Sequence, residues 1–317
     1  MIKRILYTLL IMFPVVASAQ INTDRVMAIG RNALYFEDYV LSIQYFNQVI
    51  NAKPYLSDPY FYRGLAKINL DDFQGAESDC SEAIERNPFV VSAYQVRGLA
   101  RIQQNNFAGA IEDYTKALEF DPENIGVWHN MALCRIRQED YKGAKNDLDK
   151  LIAISPRYTK AYLMRGEVDL KQKDTLAAEK DFGKAIEIDR YDADTWASRA
   201  ILRLQQQRYK DAEADFDHAI RLSTRNSGVY INRALARYHQ NNLRGAMSDY
   251  DIALDIDPNN FIGHYNRGLL RAQVGDDNRA IQDFNFVIEM EPDNMMAIFN
   301  RGLLLDQTGD YKAVSYT

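Results

Sequence analysis

The side chains able to do chemistry are few and poorly placed for it. His129, His218, His239 and His264 lie in four separate segments without metal-ligand spacing. The chain carries no G-x-x-x-x-G-K-S/T phosphate loop, no G-x-G-x-x-G after a strand, no H-E-x-x-H and no G-x-S-x-G. Catalysis, a metal centre and a cofactor are therefore not expected. The regular chemistry is ionic. Arg63, Arg97, Arg165, Arg199, Arg233, Arg267 and Arg301 share one register of 34 residues, and Asp79, Asp113, Asp147, Asp181, Asp215, Asp249 and Asp283 share another. Two columns of opposite charge in phase imply a ladder of ion pairs between stacked helices. A binding stripe is the competing reading, but a ligand rarely needs identical contacts in successive repeats. Met131 stands where the arginine for Asp147 would be. A buried, unpaired carboxylate costs ~3–5 kcal/mol. Either Arg135, one turn along, takes over, or the position is wet and worth no more than ~1 kcal/mol.

The elements that must position these columns follow from the same period. Pro54, Pro88, Pro122, Pro156, Pro258 and Pro292 keep it, as do Ala76, Ala110, Ala144, Ala178, Ala212, Ala246 and Ala280. So do the aromatics Tyr60, Tyr94, Trp128, Tyr162, Trp196 and Tyr230, and the glycines Gly64, Gly98, Gly166, Gly268 and Gly302. Each unit reads as two helices. Within 57–90, Tyr60, Gly64 and Lys67 fall on one face of a first helix, and Phe73, Ala76, Cys80 and Ala83 on one face of a second. Asp71-Asp72 marks the turn, where carboxylates favour the next helix N-terminus, and Asn87-Pro88 stops the second helix. The glycine and alanine columns let helices approach closely. Cys80 then lies on a second helix and Cys134 on a first helix two units later, three steps of ~8–10 Å apart. That exceeds the ~7 Å a disulfide spans, so both read as small buried side chains. Thr175, Leu243 and Asp277 replace the aromatic that opens the second helix and predict looser packing there.

This period and pattern resemble the tetratricopeptide repeat over 23–317. The phase gives eight full repeats, 23–56, 57–90, 91–124, 125–158, 159–192, 193–226, 227–260 and 261–294, then a partial ninth, 295–317. The resemblance implies an all-α, right-handed superhelical solenoid of antiparallel helix pairs, whose work is non-covalent protein recognition. Composition agrees: 317 residues, 47% apolar, are ordinary for a folded chain, and two cysteines make no disulfide framework. With 38 Lys+Arg against 44 Asp+Glu the chain lacks the basic footprint of a nucleic-acid binder. Lys3-Arg4, the apolar run Ile5 to Val16 and Ala17-Ser18-Ala19 read as a signal peptide over 1–19, followed by a short segment, 20–22. The run is too short to cross a bilayer, which takes ~20 residues. The mature chain is therefore expected outside the cytoplasm, in the periplasm or extracellular space, soluble or peripheral to the envelope, with no transmembrane span.

In the family, the second, fifth, ninth, twelfth and thirteenth positions of each repeat face a concave groove. Carried over by phase, the fifth position is Phe61, Gln95, His129, Leu163, Ala197, Ile231, Tyr265 and Phe299. The ninth is mostly aliphatic: Leu65, Leu99, Leu133, Glu167, Ile201, Leu235 and Leu269. Aliphatics there fit packing between neighbouring first helices, whereas the fifth column changes character as a binding surface should. The expected groove set is Phe61, Gln95, His129, Arg137, Lys160, Leu163, Lys171, Ile231, Tyr265 and Phe299. Within it His129, Arg137, Lys160 and Lys171 make an electropositive spot, with Glu167 among them, suited to an acidic side chain or a terminal carboxylate. The expected partner is a protein or peptide offering an apolar or amphipathic segment. Chaperone-binding members pair lysine at the fifth position with asparagine at the ninth, and no repeat here has both. The first helix of the ninth repeat, Met296 to about Gln307, leaves Phe299 and Leu303 available for end-to-end self-association. A second reading makes the array a regulatory or targeting module of a longer enzyme or receptor.

Overall fold

The computed structural model describes residues 22–223 and 225–308. The signal peptide read over 1–19 and the tail 309–317 of the ninth repeat lie outside the described residues. The fold is all-α, of the solenoid class, with seventeen helices among the described residues paired antiparallel. In chain order the pairs are α1 (Thr23–Tyr35) with α2 (Tyr39–Ala52), α3 (Asp58–Ile68) with α4 (Phe73–Arg86), and α5 (Val91–Gln103) with α6 (Phe107–Phe120). Next come α7 (Ile125–Arg137) and α8 (Tyr141–Ile154), then α9 (Thr159–Lys171) with α10 (Thr175–Ile188), and α11 (Ala193–Gln205) with α12 (Tyr209–Leu222). The last are α13 (Ser227–His239) with α14 (Leu243–Ile256), α15 (Phe261–Gln273) with α16 (Asp277–Met290), and α17 (Met295–Thr308). Two compact units divide between Asn130 and Met131, inside α7.

Each turn within a pair is built the same way. The residue before the helix cap takes a left-handed backbone at Glu37, Asp71, Asn105, Glu139, Lys173, Gln207 and Asn241, with φ between 59° and 65°. Only the last of the series, Gly275, is the residue type that adopts this conformation without steric cost. The next residue caps the second helix: Asp38, Asp72, Asn106, Asp140, Asp174 and Asn242 each accept a hydrogen bond from a backbone N–H three residues on. Asp276 does not cap α16 and reaches Arg279 instead.

The small columns carry the packing. A Cβ on Gly166 would come within 2.6 Å of the Phe182 ring, so this approach of α9 to α10 requires glycine. The alanine column Ala76 to Ala280 is fully buried, beside the buried rings of Phe46, Tyr114, Phe182, Phe216, Tyr250 and Phe284. The first-helix aromatics do a second job. Trp128 and Trp196 donate Nε1–H to the carbonyls of Pro122 and Arg190 at 2.8 and 2.9 Å, and Tyr162 donates its hydroxyl to Pro156 at 3.1 Å. Each therefore closes the loop that leads into its own helix. Of the three positions lacking the opening aromatic, Leu243 is no weak point, because it packs against the Tyr230–Tyr250 core. Thr175 is exposed and its neighbour Leu176 is 80% exposed.

Candidate functional site

The charged columns form a buried seam. All seven aspartates are buried on second helices. Six of them meet the arginine of the first helix in their own pair, Arg63, Arg97, Arg165, Arg199, Arg233 or Arg267, at 2.5–2.8 Å. A further column, which the sequence reading passed over, supplies a second cation one turn along. Lys67, Arg101, Arg203, Arg237 and Arg271 reach the same aspartates at 2.7–3.0 Å. Both columns also stitch to the preceding pair. The first reaches Asn47, Ser81, Asp149, Asp217 and Asp251, and the second reaches Glu77, Glu179 and Glu213. These charges are used inside the fold, which leaves little for a ligand.

Two consecutive repeats break the rule, in complementary ways. In the fourth, Arg135 Nε donates to Asp147 at 2.7 Å and its NH1 to Asp140 at 2.8 Å. Arg135 thus takes over from the missing arginine at Met131. It supplies one bond where other repeats supply several, and burial pushes the Asp147 carboxyl up to about 6. In the fifth, the second-cation position is Asp169, so Arg165 is the only cation on Asp181 among the described residues. Asp169, 1% exposed, pairs with Lys145 of α8. That is the Glu-to-Arg stitch of other repeats with its charges exchanged.

In the second unit a cavity of about 440 Å³ is lined by Ile136, Tyr141, Glu167, Val168, Leu170, Lys171 and Gln205. These come from α7, α8, α9 and α11, at the two irregular repeats and the one after. Burial raises the Glu167 carboxyl above its ordinary range; Asp194 adds to this and Lys171 opposes it. A second cavity of about 200 Å³ is lined by Phe261, Ile262, Tyr265, Asn294 and Met296.

The expected groove residues are placed unequally. Arg137, Lys160 and Lys171 are exposed, but only Lys171 lines the larger cavity. Leu163 is half-buried against Phe182 and Leu202. Tyr265 lines the smaller cavity, its hydroxyl accepting from Asn300 at 3.2 Å, and Phe299 nearby in sequence is 61% exposed. Ile231 needs correction: it is buried with Tyr230 and Ala234, because Gly263 and Leu254 close over it, and it offers no groove surface. In the first unit Phe61 is half-buried against the Tyr60–Cys80 core, and Gln95 and His129 are half-buried. Tyr141 and Gln205 were missed. Tyr141 opens a second helix, outside the first-helix positions from which the groove was expected, and Gln205 sits at the thirteenth position without a charge to draw notice.

The remaining reactive groups have structural uses. His218 stacks on Trp196 at 4.2 Å and His239 on Tyr209 at 4.6 Å. His264 replaces the first-helix aromatic, with Nε2 3.0 Å from the Pro258 carbonyl and Nδ1 2.9 Å from Asp283. Cys80 and Cys134 are free and buried, and burial pushes their thiols up to about 12 and about 11, away from nucleophilic thiolate. Among the described residues no helix is long and apolar enough to cross a membrane, and no group of three His, Cys, Asp or Glu could hold a metal ion.

Comparison with known proteins agrees with this architecture. Tetratricopeptide repeat models match residues 98–134, 125–158, 159–192 and 198–261, about half of the chain. A tetratricopeptide repeat protein of Parabacteroides merdae is 21% identical with a TM-score of 0.60, covering 78% of this chain and 98% of its own. The pilF protein of Pseudomonas aeruginosa is 19% identical with a TM-score of 0.57, over 68% of this chain and 97% of its own. The Cut9–Hcn1 hetero-tetramer of the APC/C contributes a chain 14% identical with a TM-score of 0.60, over 90% of this chain and 56% of its own. No curated protein sequence matches the chain.

Proposed function

Since the chain is a tetratricopeptide repeat protein, built from modules that generally serve protein–protein interaction, we propose that it is a non-catalytic scaffold or adaptor. It binds an extended or helical segment of a partner protein along its first helices. The observation that carries this reading is the contrast between seam and first-helix surface. Seam charges are spent within the fold, while the 440 Å³ cavity combines apolar walls with Glu167 and Lys171, which make no ion pair with each other. Apolar walls with a few convergent polar groups are the usual form of a recognition pocket. In the second unit Leu163, Tyr265 and Phe299 lie on first helices beside it, and exposed Arg137 and Lys160 suit acidic groups on the partner; in the first unit, taken by itself, Phe61, Gln95 and His129 hold the same register. The signal-peptide pattern over 1–19 supports a site of action outside the cytoplasm.

Affinity capture from the native cell with tagged protein tests the reading. A partner should be retained by the wild type and retained less by the Arg137→Glu/Lys160→Glu variant at unchanged melting temperature. Equal retention by both would remove these cations from the surface. Fractionation of the tagged full chain should recover it from the periplasm or medium; a cytoplasmic pool alone would overturn the placement.

A further inference from the structure

The ninth position of the repeat is leucine or isoleucine in every full repeat from the second to the eighth except the fifth, where Glu167 stands. Nothing in the fold uses this carboxylate. Among the described residues it accepts no hydrogen bond, and no cation lies within 4 Å, although Lys171 follows one turn later on α9 and lines the same cavity. The two charges that act on it are Asp194, of like sign, and Lys171, of opposite sign, so they do not neutralise the carboxylate between them. Glu167 is exposed in the cavity wall, so the fold tolerates the carboxylate without a partner, yet stacking gains nothing from putting it in an aliphatic column.

The walls around it narrow the chemistry of what would bind there. Ile136, Val168 and Leu170 give apolar surface, Tyr141 an aromatic ring and Gln205 an amide, around about 440 Å³. Lysine and arginine match such a space, with an apolar stem that packs on hydrocarbon and a cationic tip for the carboxylate and the aromatic face. A purely apolar side chain would leave Glu167 dehydrated and unpaired, and an acidic one would be repelled by Glu167 and Asp194.

We propose that this cavity is a specificity subsite for a basic side chain, lysine or arginine, of the bound segment, with Glu167 as its counter-ion and Ile136, Leu170 and Tyr141 as walls for its stem. The proposal rests on the scaffold reading, and makes the partner segment one that carries a cation on its apolar face.

Methyl-labelled protein titrated with n-hexylammonium and, separately, with hexanoate tests the subsite without knowing the partner. Hexylammonium should shift the methyl resonances of Ile136, Val168 and Leu170 saturably, and hexanoate should not. Glu167→Gln should weaken the amine at least five-fold, while Lys171→Gln should leave it unchanged or tighten it. Hexanoate binding as well as the amine, or amine binding indifferent to Glu167→Gln, would overturn the proposal. The capture experiment separates the two levels. A partner retained equally by wild type and Glu167→Gln sinks the subsite and leaves the scaffold. Amine binding without any captured partner leaves the subsite and sinks the scaffold.

Discussion

The fourth and fifth repeats and the seventh repeat share a backbone and differ in how their charges are spent. In the seventh, Asp249 is 1% exposed and held by both Arg233 and Arg237, which also reach back to Asp217 and Glu213. Among the described residues, Asp147 in the fourth has Arg135 alone, and Asp181 in the fifth has Arg165 alone. The turns nonetheless match: Glu139 and Asn241 are both left-handed, and Asp140 and Asn242 both cap. Geometry therefore survives a thinner seam. The 440 Å³ cavity opens in this stretch, where the one acidic residue enters the aliphatic column, whereas a cavity of about 640 Å³ opens on the complete seam of the third repeat at Arg97, Arg101 and Asp113. Charge that stabilises stacking in the seventh repeat is rearranged in the fourth and fifth, beside the surface assigned to recognition.

Substitutions can break this comparison, and the largest effect should come from Arg165→Ala. It leaves buried Asp181 without a cation, so a loss of ~3–5 kcal/mol is expected, read as a fall in melting temperature of ~10 °C. Arg233→Ala leaves Arg237 on Asp249 and should cost roughly half as much. A fall of only a degree or two for Arg165→Ala would mean that the seam is wet and contributes little.

Asp147→Asn should act in the opposite direction. With its carboxyl near 6 in the fold, above the ordinary ~3.9 of the unfolded chain, Asp147 binds its proton more tightly folded than unfolded. Its charge thus penalises the fold above pH ~6, by at most about 3 kcal/mol, and the penalty fades as pH falls toward ~4. Chemical denaturation should find Asp147→Asn more stable than wild type at pH 7.5 by ~1 kcal/mol, the lost Arg135 bond offsetting part of the gain. The advantage should shrink toward pH 5. Asp249→Asn, in the complete repeat, should destabilise at pH 7.5; equal behaviour of the two variants would erase the distinction between the repeats.

Glu167→Leu, which restores the column at an exposed position, should leave stability within ~0.5 kcal/mol of wild type while weakening retention of the partner. The smallest effect belongs to the turns. Gln207→Gly relieves a left-handed residue costing ~1–2 kcal/mol but loosens the unfolded chain, for a net gain of ~0.5 kcal/mol by denaturant midpoint.

Much of the fold was legible because the period makes each residue type visible several times. The helix pair at 57–90 and the turn at Asp71-Asp72 follow from spacing alone, and α3 and α4 lie there. The arginine and aspartate columns pointed to the seam for the same reason. Its second cation was harder to see, because Lys67, Arg101, Arg135 and Asp169 change type and sign along the column. Lys145–Asp169 is visible as a stitch only once both helices are placed, since neither residue matches its column. The site was legible least. Ile231 and Leu163 occupy the same position in their repeats, yet Gly263 lets Leu254 and Ile231 pack together and bury the first. Exposure within a column depends on the next repeat's side chains, which a single position does not report. Glu167 stood out by type in the sequence, but its lack of a partner is a fact of geometry.

Site-specific photocrosslinking in the native cell puts the central claim to its most direct test. A photoreactive residue at Gln205, in the cavity wall, is compared with one at Lys180, exposed on the second helix α10. The account predicts a discrete partner adduct from Gln205 that diminishes with Glu167→Gln, and none from Lys180. Adducts of equal yield from both positions, or from Lys180 alone, would contradict recognition by the first helices.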